Sequence, residues 1–215
     1  MTLVFPAQDP VTLAVAGTAN RFPLHRIYCV GRNYNEHVVE MGGVAGREPP
    51  FFFSKPNDAA VGNGVFPYPP MSKDVHHEVE LVVALGPGLS IFGYAVGLDF
   101  TRRDLQAEAK KLGRAWDTSK AFDFSAPMSP ITPRSDVMKR GAITLDVNGA
   151  RRQTGDIAAM IWGVDEIIAE LGRYFILKPG DVIFTGTPAG VSAVQKGDRL
   201  HAAIEGVGTL DVTVT

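Results

Sequence analysis

Short apolar runs bounded by glycine and proline recur along the whole chain, and they limit the fold more than any other feature of the sequence. Runs of this length, rich in β-branched and aromatic residues, are typical of strands. They lie at residues 27–30, 50–53, 79–85, 93–98, 143–147, 181–184 and 208–214. Asn148-Gly149 follows one of them and predicts a type I′ hairpin turn. The sequence therefore predicts a chain built mainly of strands.

Three segments carry helix signals, at residues 33–41, 101–112 and 156–171. The second opens with Thr101-x-x-Asp104, a capping-box pattern, and the third places apolar residues at helical spacing. Strands outnumber helices and do not alternate with them, which favours a mainly antiparallel sheet structure. We expect an α+β fold, mainly β, with peripheral helices, in one domain covering residues 1–215.

Composition excludes several classes of protein. The 215 residues include 21 basic and 23 acidic ones, so no net positive charge indicates nucleic-acid binding. No run approaches the ~18 apolar residues of a membrane span, and the N-terminus lacks a signal pattern. A single cysteine, Cys29, cannot form an internal disulfide and fits a reducing compartment. We expect a cytoplasmic protein that binds neither nucleic acid nor membrane.

The run at residues 74–85 places two acids in an otherwise apolar strand. Strand alternation puts Glu78 and Glu80 on one face, about 6.5 Å apart at their Cα atoms. If that face is buried, their repulsion costs about 2–3 kcal/mol at an effective dielectric constant near 20, and a bound cation would reverse its sign. A solvated edge strand is the alternative, but Val82 and Ala84 continue the same face and favour burial.

A third carboxylate, Asp99, follows the strand at 93–98. Three oxygen ligands without a cysteine favour a hard cation, Mg²⁺ or Mn²⁺. His76 shares the carboxylate face, so a histidine-containing site of the oxygenase type is a second interpretation. His77 points to the other face, where a core or hydrogen-bonded role is expected.

Two further groups are candidates for chemistry. His37 and Glu40 are three residues apart on a predicted helix, where a carboxylate can orient an imidazole as a general base. Such pairs are also common on surfaces. Lys120 lies among apolar neighbours and is a candidate buried cation. The turn at residues 185–190 is rich in glycine and threonine and could hold a carboxylate, or it could be a tight turn only.

Four of these segments, in this order, resemble the fumarylacetoacetate hydrolase family. They are Cys-Val-Gly-Arg-Asn-Tyr at 29–34, His-His-Glu-Val-Glu-Leu at 76–81, Gly-Leu-Asp-Phe-Thr-Arg-Arg-Asp-Leu-Gln at 97–106 and Thr-Gly-Thr-Pro-Ala-Gly at 185–190. The resemblance runs from about residue 27 to the C-terminus and leaves 1–26 as an N-terminal extension that packs on the domain. Segments 48–56 and 107–113 make the chain most similar to the bacterial fumarylpyruvate hydrolases and acylpyruvases of that family. The connections at 86–91 and 134–141 are shorter than is usual there.

The resemblance implies a mixed β-roll, a homodimer and a Mg²⁺ or Mn²⁺ ion held by Glu78, Glu80 and Asp99. It also implies that His37 and Glu40 activate water and that Lys120 lies near the metal. A further set matches positions associated with substrate contact, namely Arg32, Arg103, Gln106 and Thr187. Because the family's ligand set contains no histidine, the resemblance argues against His76 as a ligand.

The activity implied is hydrolysis of the carbon–carbon bond of an acylpyruvate, a small-molecule keto acid, with aromatic catabolism as the setting. Fumarylpyruvate, giving fumarate and pyruvate, is the first candidate substrate. Relatives with the same metal site imply two alternatives, an oxaloacetate decarboxylase or an isomerase of unsaturated dicarboxylates. A catalytically silent protein that only binds metal or dicarboxylate is a third.

Overall fold

The computed structural model describes residues 3–215 as a β-rich structure with a few short helices. The strands are β1 (Thr12–Ala14), β2 (Arg21–Pro23), β3 (Ile27–Gly31), β4 (Phe51–Lys55), β5 (Ala60–Val61), β6 (Val65–Phe66), β7 (Val75–His77), β8 (Val79–Leu85), β9 (Ile91–Leu98), β10 (Thr101–Arg102), β11 (Ala126–Pro127), β12 (Thr132–Pro133), β13 (Ala142–Val147), β14 (Ala150–Asp156), β15 (Val182–Phe184), β16 (Ser192–Ala193), β17 (Arg199–Ile204) and β18 (Gly208–Val214). The α-helices are α1 (Asn35–Glu40), α2 (Arg103–Leu112), α3 (Asp117–Lys120) and α4 (Val164–Tyr174). Short 3₁₀ turns occupy Asn57–Ala59, Pro87–Leu89 and Ile157–Ala159.

Two larger sheets organise these strands. One has the order β12-β9-β8-β15-β3-β4 and the other the order β14-β13-β17-β18-β6. Most pairs are antiparallel, and the parallel ones are β15 with β3, β18 with β6 and β11 with β5. The expected α+β class, mainly β with mixed sheets and peripheral helices, is confirmed.

Strand β8 lies between β9 and β15, and all of its residues are buried. Val79, Leu81 and Val83 belong to a large core shared with the five-stranded sheet. Val82 and Ala84, on the other face, belong to a second core that also contains Leu13 and Phe22 of the β1–β2 hairpin and its flanks. The predicted alternation is therefore confirmed, and the interpretation of this segment as a solvated edge strand is wrong.

The helix expected at residues 156–171 is interrupted. A 3₁₀ turn covers Ile157–Ala159, and α4 begins only at Val164. The break has a tertiary cause, because Asn33 bonds the intervening backbone. Its side-chain oxygen accepts from the Trp162 N–H at 2.8 Å, its amide donates to the Trp162 carbonyl at 3.0 Å, and its own carbonyl accepts from the Ile161 N–H.

The predicted capping box at Thr101 is also wrong. Thr101 lies in β10, opposite His76, and α2 begins at Arg103 without a side-chain cap. The Asp104 carboxylate instead accepts hydrogen bonds from Ser72 and from the Lys73 N–H. The carboxylate that the local spacing predicted to cap the helix is therefore hydrogen-bonded to residues about thirty positions earlier in the chain.

Turns behave as the sequence indicates. Asn148 and Gly149 both have positive φ, 52° and 78°, as a type I′ turn requires, and they join β13 to β14. The short connection between β8 and β9 closes as a tight hairpin through a Gly86 N–H to Ser90 carbonyl bond of 2.8 Å. Within residues 3–215, none of the helices is both long and apolar enough to cross a bilayer.

Candidate active site

Glu78, Glu80 and Asp99 meet at one end of the β8–β9 pair. The register sets Glu80 opposite Gly97 and Val79 opposite Leu98, so Asp99, just beyond β9, lies beside Glu78 and donates its backbone N–H to the Glu78 carbonyl at 2.9 Å. One oxygen from each carboxylate lies within 4.8 Å of the others. The three residues are at most 5% exposed. The sequence thus forms a buried oxygen cluster of the predicted composition.

Three basic side chains neutralise this cluster. Lys120 Nζ donates to Glu78 Oε2 at 2.7 Å and to Asp99 Oδ2 at 2.6 Å, and Arg103 donates to Glu78 Oε1 at 2.6 Å. Lys55 Nζ, with a fully buried side chain, lies 2.8 Å from Asp99 Oδ1. Burial alone would raise the pKa of Glu78, but Lys120 and Arg103 hold it well below its ordinary value. We call these three carboxylates with Lys55 and Lys120 the floor of the site.

Glu80 is held differently from its two partners. Its Oε2 accepts the Gly186 N–H at 2.7 Å, and among the described residues no basic side chain forms an ion pair with it. Burial, with Asp99 and Glu78 close by, raises its pKa well above the ordinary value. A divalent cation bound by the three carboxylates would remove this repulsion. The all-oxygen donor set fits Mg²⁺ or Mn²⁺.

The turn at residues 185–190 presents that N–H because Gly186 adopts a φ of 100°. A side chain there would also place its Cβ 2.7 Å from the Cβ of Asn33. The glycine is therefore required by both backbone conformation and space. This turn does hold carboxylates, and they belong to the chain itself: the Gly186 N–H donates to Glu80 and the Gly190 N–H donates to Glu40.

His37 and Glu40 form a hydrogen-bonded pair on α1. His37 is buried and its Nδ1 lies 3.1 Å from Glu40 Oε2, while Glu40 Oε1 accepts the Gly190 N–H at 2.9 Å. Because Nδ1 is engaged by the carboxylate, Nε2 is the ring nitrogen left to act on another group.

One cavity of about 60 Å³ unites these groups. Glu40 lies behind His37, and all the other predicted site residues are among those that line the cavity, namely Arg32, His37, Glu78, Glu80, Asp99, Arg103, Gln106, Lys120 and Thr187. Arg103 donates to Gln106 at 2.7 Å, which ties two of the predicted substrate contacts together. A second cavity of about 390 Å³ adjoins the first and shares Arg32 and Trp116 with it.

The two histidines before Glu78 have no place in the oxygen cluster. His76 Nε2 lies 2.8 Å from Asp74 Oδ1, so the oxygenase-type interpretation has no support. His77 Nδ1 lies 2.9 Å from Gln153 Oε1 and its Nε2 lies 2.8 Å from Ser192 Oγ. Burial lowers the pKa of His77 to about 4, so the ring is neutral near pH 7. Its expected hydrogen-bonded core role is confirmed.

The sequence did not predict several residues of the site, and three of these support the carboxylate cluster or the turn at 185–190. Lys55 ends β4 and contacts Asp99, Asn33 supports the loop beside Gly186, and buried Gln153 donates to Thr187 Oγ1 at 2.8 Å. Lys55 lies two residues after three phenylalanines and the end of the strand predicted at 50–53, and this apolar run is the only local signal for it. Nothing local marks Gln153, which follows two arginines on a mainly exposed strand.

This fold and its buried carboxylate cluster define a class of enzyme that holds a divalent metal through oxygen ligands. The chain belongs to the fumarylacetoacetate hydrolase family, since the family described as "Fumarylacetoacetate (FAA) hydrolase C-terminal" matches residues 26–215. It is similar to a fumarylpyruvate hydrolase from Ralstonia sp., 44% identical over 179 residues, 78% of this chain and 93% of that protein. It is also similar to the oxaloacetate tautomerase YcgM of Escherichia coli, 39% identical over 199 residues, 86% of this chain and 90% of that protein.

A crystal structure of fumarylpyruvate hydrolase from Pseudomonas aeruginosa in complex with Mn²⁺ and pyruvate superimposes with a TM-score of 0.95. It is 45% identical in sequence, and the match covers 100% of this chain and 99% of that one. The fold that the sequence resemblance implied is therefore confirmed.

Proposed function

We propose that this protein is a divalent-metal-dependent hydrolase that cleaves the carbon–carbon bond of an acylpyruvate, with fumarylpyruvate as the first candidate substrate. The observation that carries the proposal is the shared cavity, which brings the buried carboxylate cluster and Lys120 together with the His37–Glu40 pair. The similarity to two fumarylpyruvate hydrolases over most of the chain supports it.

Glu78, Glu80 and Asp99 would hold the metal, which would supply Lewis acidity to the keto-acid oxygens of the substrate. His37 would take a proton from water through Nε2. Its Nδ1 is hydrogen-bonded to Glu40, whose other oxygen accepts the Gly190 N–H, and this fixes the orientation of the ring. The water oxygen would add to the carbonyl carbon of the acyl group. The buried position of His37 keeps its ring in one orientation toward the cavity.

The bond between that carbonyl carbon and the methylene group then breaks, and its electron pair passes to pyruvate as an enolate. The Lys120 ammonium, held by Glu78 and Asp99, would stabilise the negative charge because a buried cation interacts strongly in a low-dielectric site. The proton carried by His37 returns to the methylene carbon and completes pyruvate. One water is consumed and one carboxylic acid is released.

A second candidate is tautomerisation of oxaloacetate, favoured by the similarity to the Escherichia coli tautomerase. That reaction, like the decarboxylation or isomerisation implied by the sequence, passes through an enolate but needs no attacking water. Lys120 and the carboxylates would serve both reactions, whereas a water-activating His37 would serve hydrolysis only.

The deciding experiment assays a panel of acylpyruvates and oxaloacetate with and without Mg²⁺ or Mn²⁺. Hydrolysis is read from loss of enol absorbance and appearance of pyruvate, and tautomerisation from enol loss without pyruvate. Metal-stimulated pyruvate release from fumarylpyruvate is expected. Oxaloacetate turnover with no acylpyruvate cleaved would overturn the hydrolase proposal, and no turnover of either would favour a silent binding protein.

We further propose Mg²⁺ or Mn²⁺ as the working ion and a cytoplasmic homodimer acting in aromatic catabolism. We also propose one catalytic domain over 1–215, with 1–26 as an extension packed on it. The packing of Leu13 and Phe22 in the second core supports the extension. The buried free thiol of Cys29 supports a reducing compartment, and the exposed apolar residues at 174–176 support a dimer interface. Light scattering on the purified protein tests the dimer, and a monomeric mass would refute it.

A further inference from the structure

Among residues 3–215, two basic side chains at the opening of the site have no acidic partner. Arg103, Lys120 and Lys55 each contact a carboxylate of the floor. Arg32 and Lys110 line the same cavity, yet within the part of the chain described neither forms an ion pair. We call Arg32, Lys110 and Trp116 the mouth of the site.

The position of Lys110 follows from helix geometry. Arg103, Gln106 and Lys110 lie on one face of α2, and all three line the cavity. Seven residues of helix rise about 10 Å, so Lys110 lies roughly that far along the axis from the arginine that contacts Glu78. An extended seven-carbon substrate with a carboxylate at each end is of similar length.

Lys110 is exposed, yet an aromatic ring and other cationic groups lie close to its ammonium group. Its Nζ lies 5.3 Å from the centroid of the Trp116 ring, which lines both adjoining cavities. Burial and the nearby guanidinium groups of Arg103 and Arg32 lower the pKa of Lys110. An anion placed between these cations would relieve their mutual repulsion.

Charge balance indicates how many anionic groups the site takes. With all three carboxylates ionised, as ligands of a metal would be, the floor and Arg103 carry three negative and three positive charges, which cancel. A divalent ion and the two unpaired cations of the mouth then leave a clear positive excess. A single keto-acid carboxylate offsets only part of it, whereas a second carboxylate offsets more.

We propose that Lys110, assisted by Arg32, binds a second carboxylate carried by the acyl group, so that the enzyme selects dianionic acylpyruvates over monoanionic ones. This inference rests on the proposed function and adds the residue that sets its substrate preference. Lys110 acts in recognition and has no part in activating water.

The test compares fumarylpyruvate with crotonylpyruvate, in which a methyl group replaces the distal carboxylate. In Lys110→Gln the ratio of kcat/KM for the two substrates should fall about tenfold or more, because a charge-assisted hydrogen bond to one substrate only is lost. Lys110→Arg should restore much of the ratio. Lys111→Gln removes the same charge from the next residue of α2, which does not line the cavity, and should leave the ratio unchanged. An equal loss on both substrates in Lys110→Gln would overturn the inference.

A binding measurement separates this inference from the proposed function. Calorimetry on the Mn²⁺-loaded protein compares fumarate with crotonate, which differ by the same carboxylate. Wild type should prefer fumarate and Lys110→Gln should not. If neither acylpyruvate is hydrolysed but this pattern appears, the hydrolase proposal fails and Lys110 recognition stands. If wild type shows no preference, or the variant keeps it, the inference is wrong.

Discussion

The floor and the mouth of the site are both rich in charge but differ in how those charges are balanced. On the floor, Lys55 and Lys120 lie within 2.8 Å of carboxylate oxygens and are buried with them. At the mouth, Arg32 and Lys110 face the cavity with no ion pair among residues 3–215. Chain folding balances Glu78 and Asp99 on the floor with lysines, whereas the balance of Glu80 and of the mouth depends on a bound cation and an anionic ligand.

This difference predicts which property of the protein a substitution in each region should change. A buried charge whose partner is removed keeps its desolvation cost and loses its compensation, so floor variants act on folding and metal binding. A charge at the opening compensates no buried charge of the protein, so its variants should change the choice of substrate.

His37→Asn should lower kcat for every acylpyruvate by the same factor, about 10²–10⁴, because water loses its general base. The stability and Mn²⁺ affinity of the protein should not change. Steady-state kinetics on several acylpyruvates measures it, with Glu36→Gln, an exposed neighbour on α1, as the control. Full activity of His37→Asn on fumarylpyruvate would remove His37 from the mechanism. If the factor by which kcat falls differed between acylpyruvates, His37 would also contribute to substrate recognition.

Lys55→Met should lower the free energy of unfolding by about 3 kcal/mol or more, because it removes one of the two lysines that balance buried Asp99. Urea denaturation followed by circular dichroism measures the change. Lys139→Met removes an exposed lysine and should change stability by less than about 0.5 kcal/mol. Equal effects of the two substitutions would show that the floor is not held by its ion pairs.

Glu80→Gln should abolish most of the stabilisation that Mn²⁺ gives to wild type, about 3 kcal/mol when the ion is at a hundred times its Kd. Without metal the variant should be at least as stable as wild type, because repulsion from Glu78 and Asp99 is gone while the Gln oxygen can still accept the Gly186 N–H. Thermal unfolding with and without Mn²⁺ gives both values. An unchanged response to Mn²⁺ would refute the ligand assignment.

Gly186→Ala should destabilise the protein by about 1–3 kcal/mol, because an L-residue is strained at φ 100° and its Cβ would meet Asn33. Gly172→Ala, in open space within α4, is the matched control and should stabilise by about 0.5–1 kcal/mol. Thermal denaturation of both variants measures the difference. Equal changes in the two would mean that the turn at Gly186 is not constrained.

Much of the site could be predicted from local patterns. The two-residue period of β8 placed Glu78 and Glu80 on one face, and the three-residue spacing on α1 placed His37 beside Glu40, because both depend on backbone geometry alone. Other expectations failed where distant groups intervened. Asn33 interrupts the predicted helix at 156–171, and Ser72 and Lys73 take the Asp104 carboxylate that was expected to cap α2.

The strand-rich class, the hairpin at Asn148-Gly149 and the residue types of the site could all be predicted from the sequence. These features depend on turn conformation and on the alternation of side chains, which are local properties of the backbone. The tertiary structure was needed to show that Lys55 balances Asp99, that the Gly186 N–H binds Glu80, and that Arg32 and Lys110 have no ion pair within residues 3–215. Pairing between distant charges depends on strand order and register, which bring together residues that no local spacing relates.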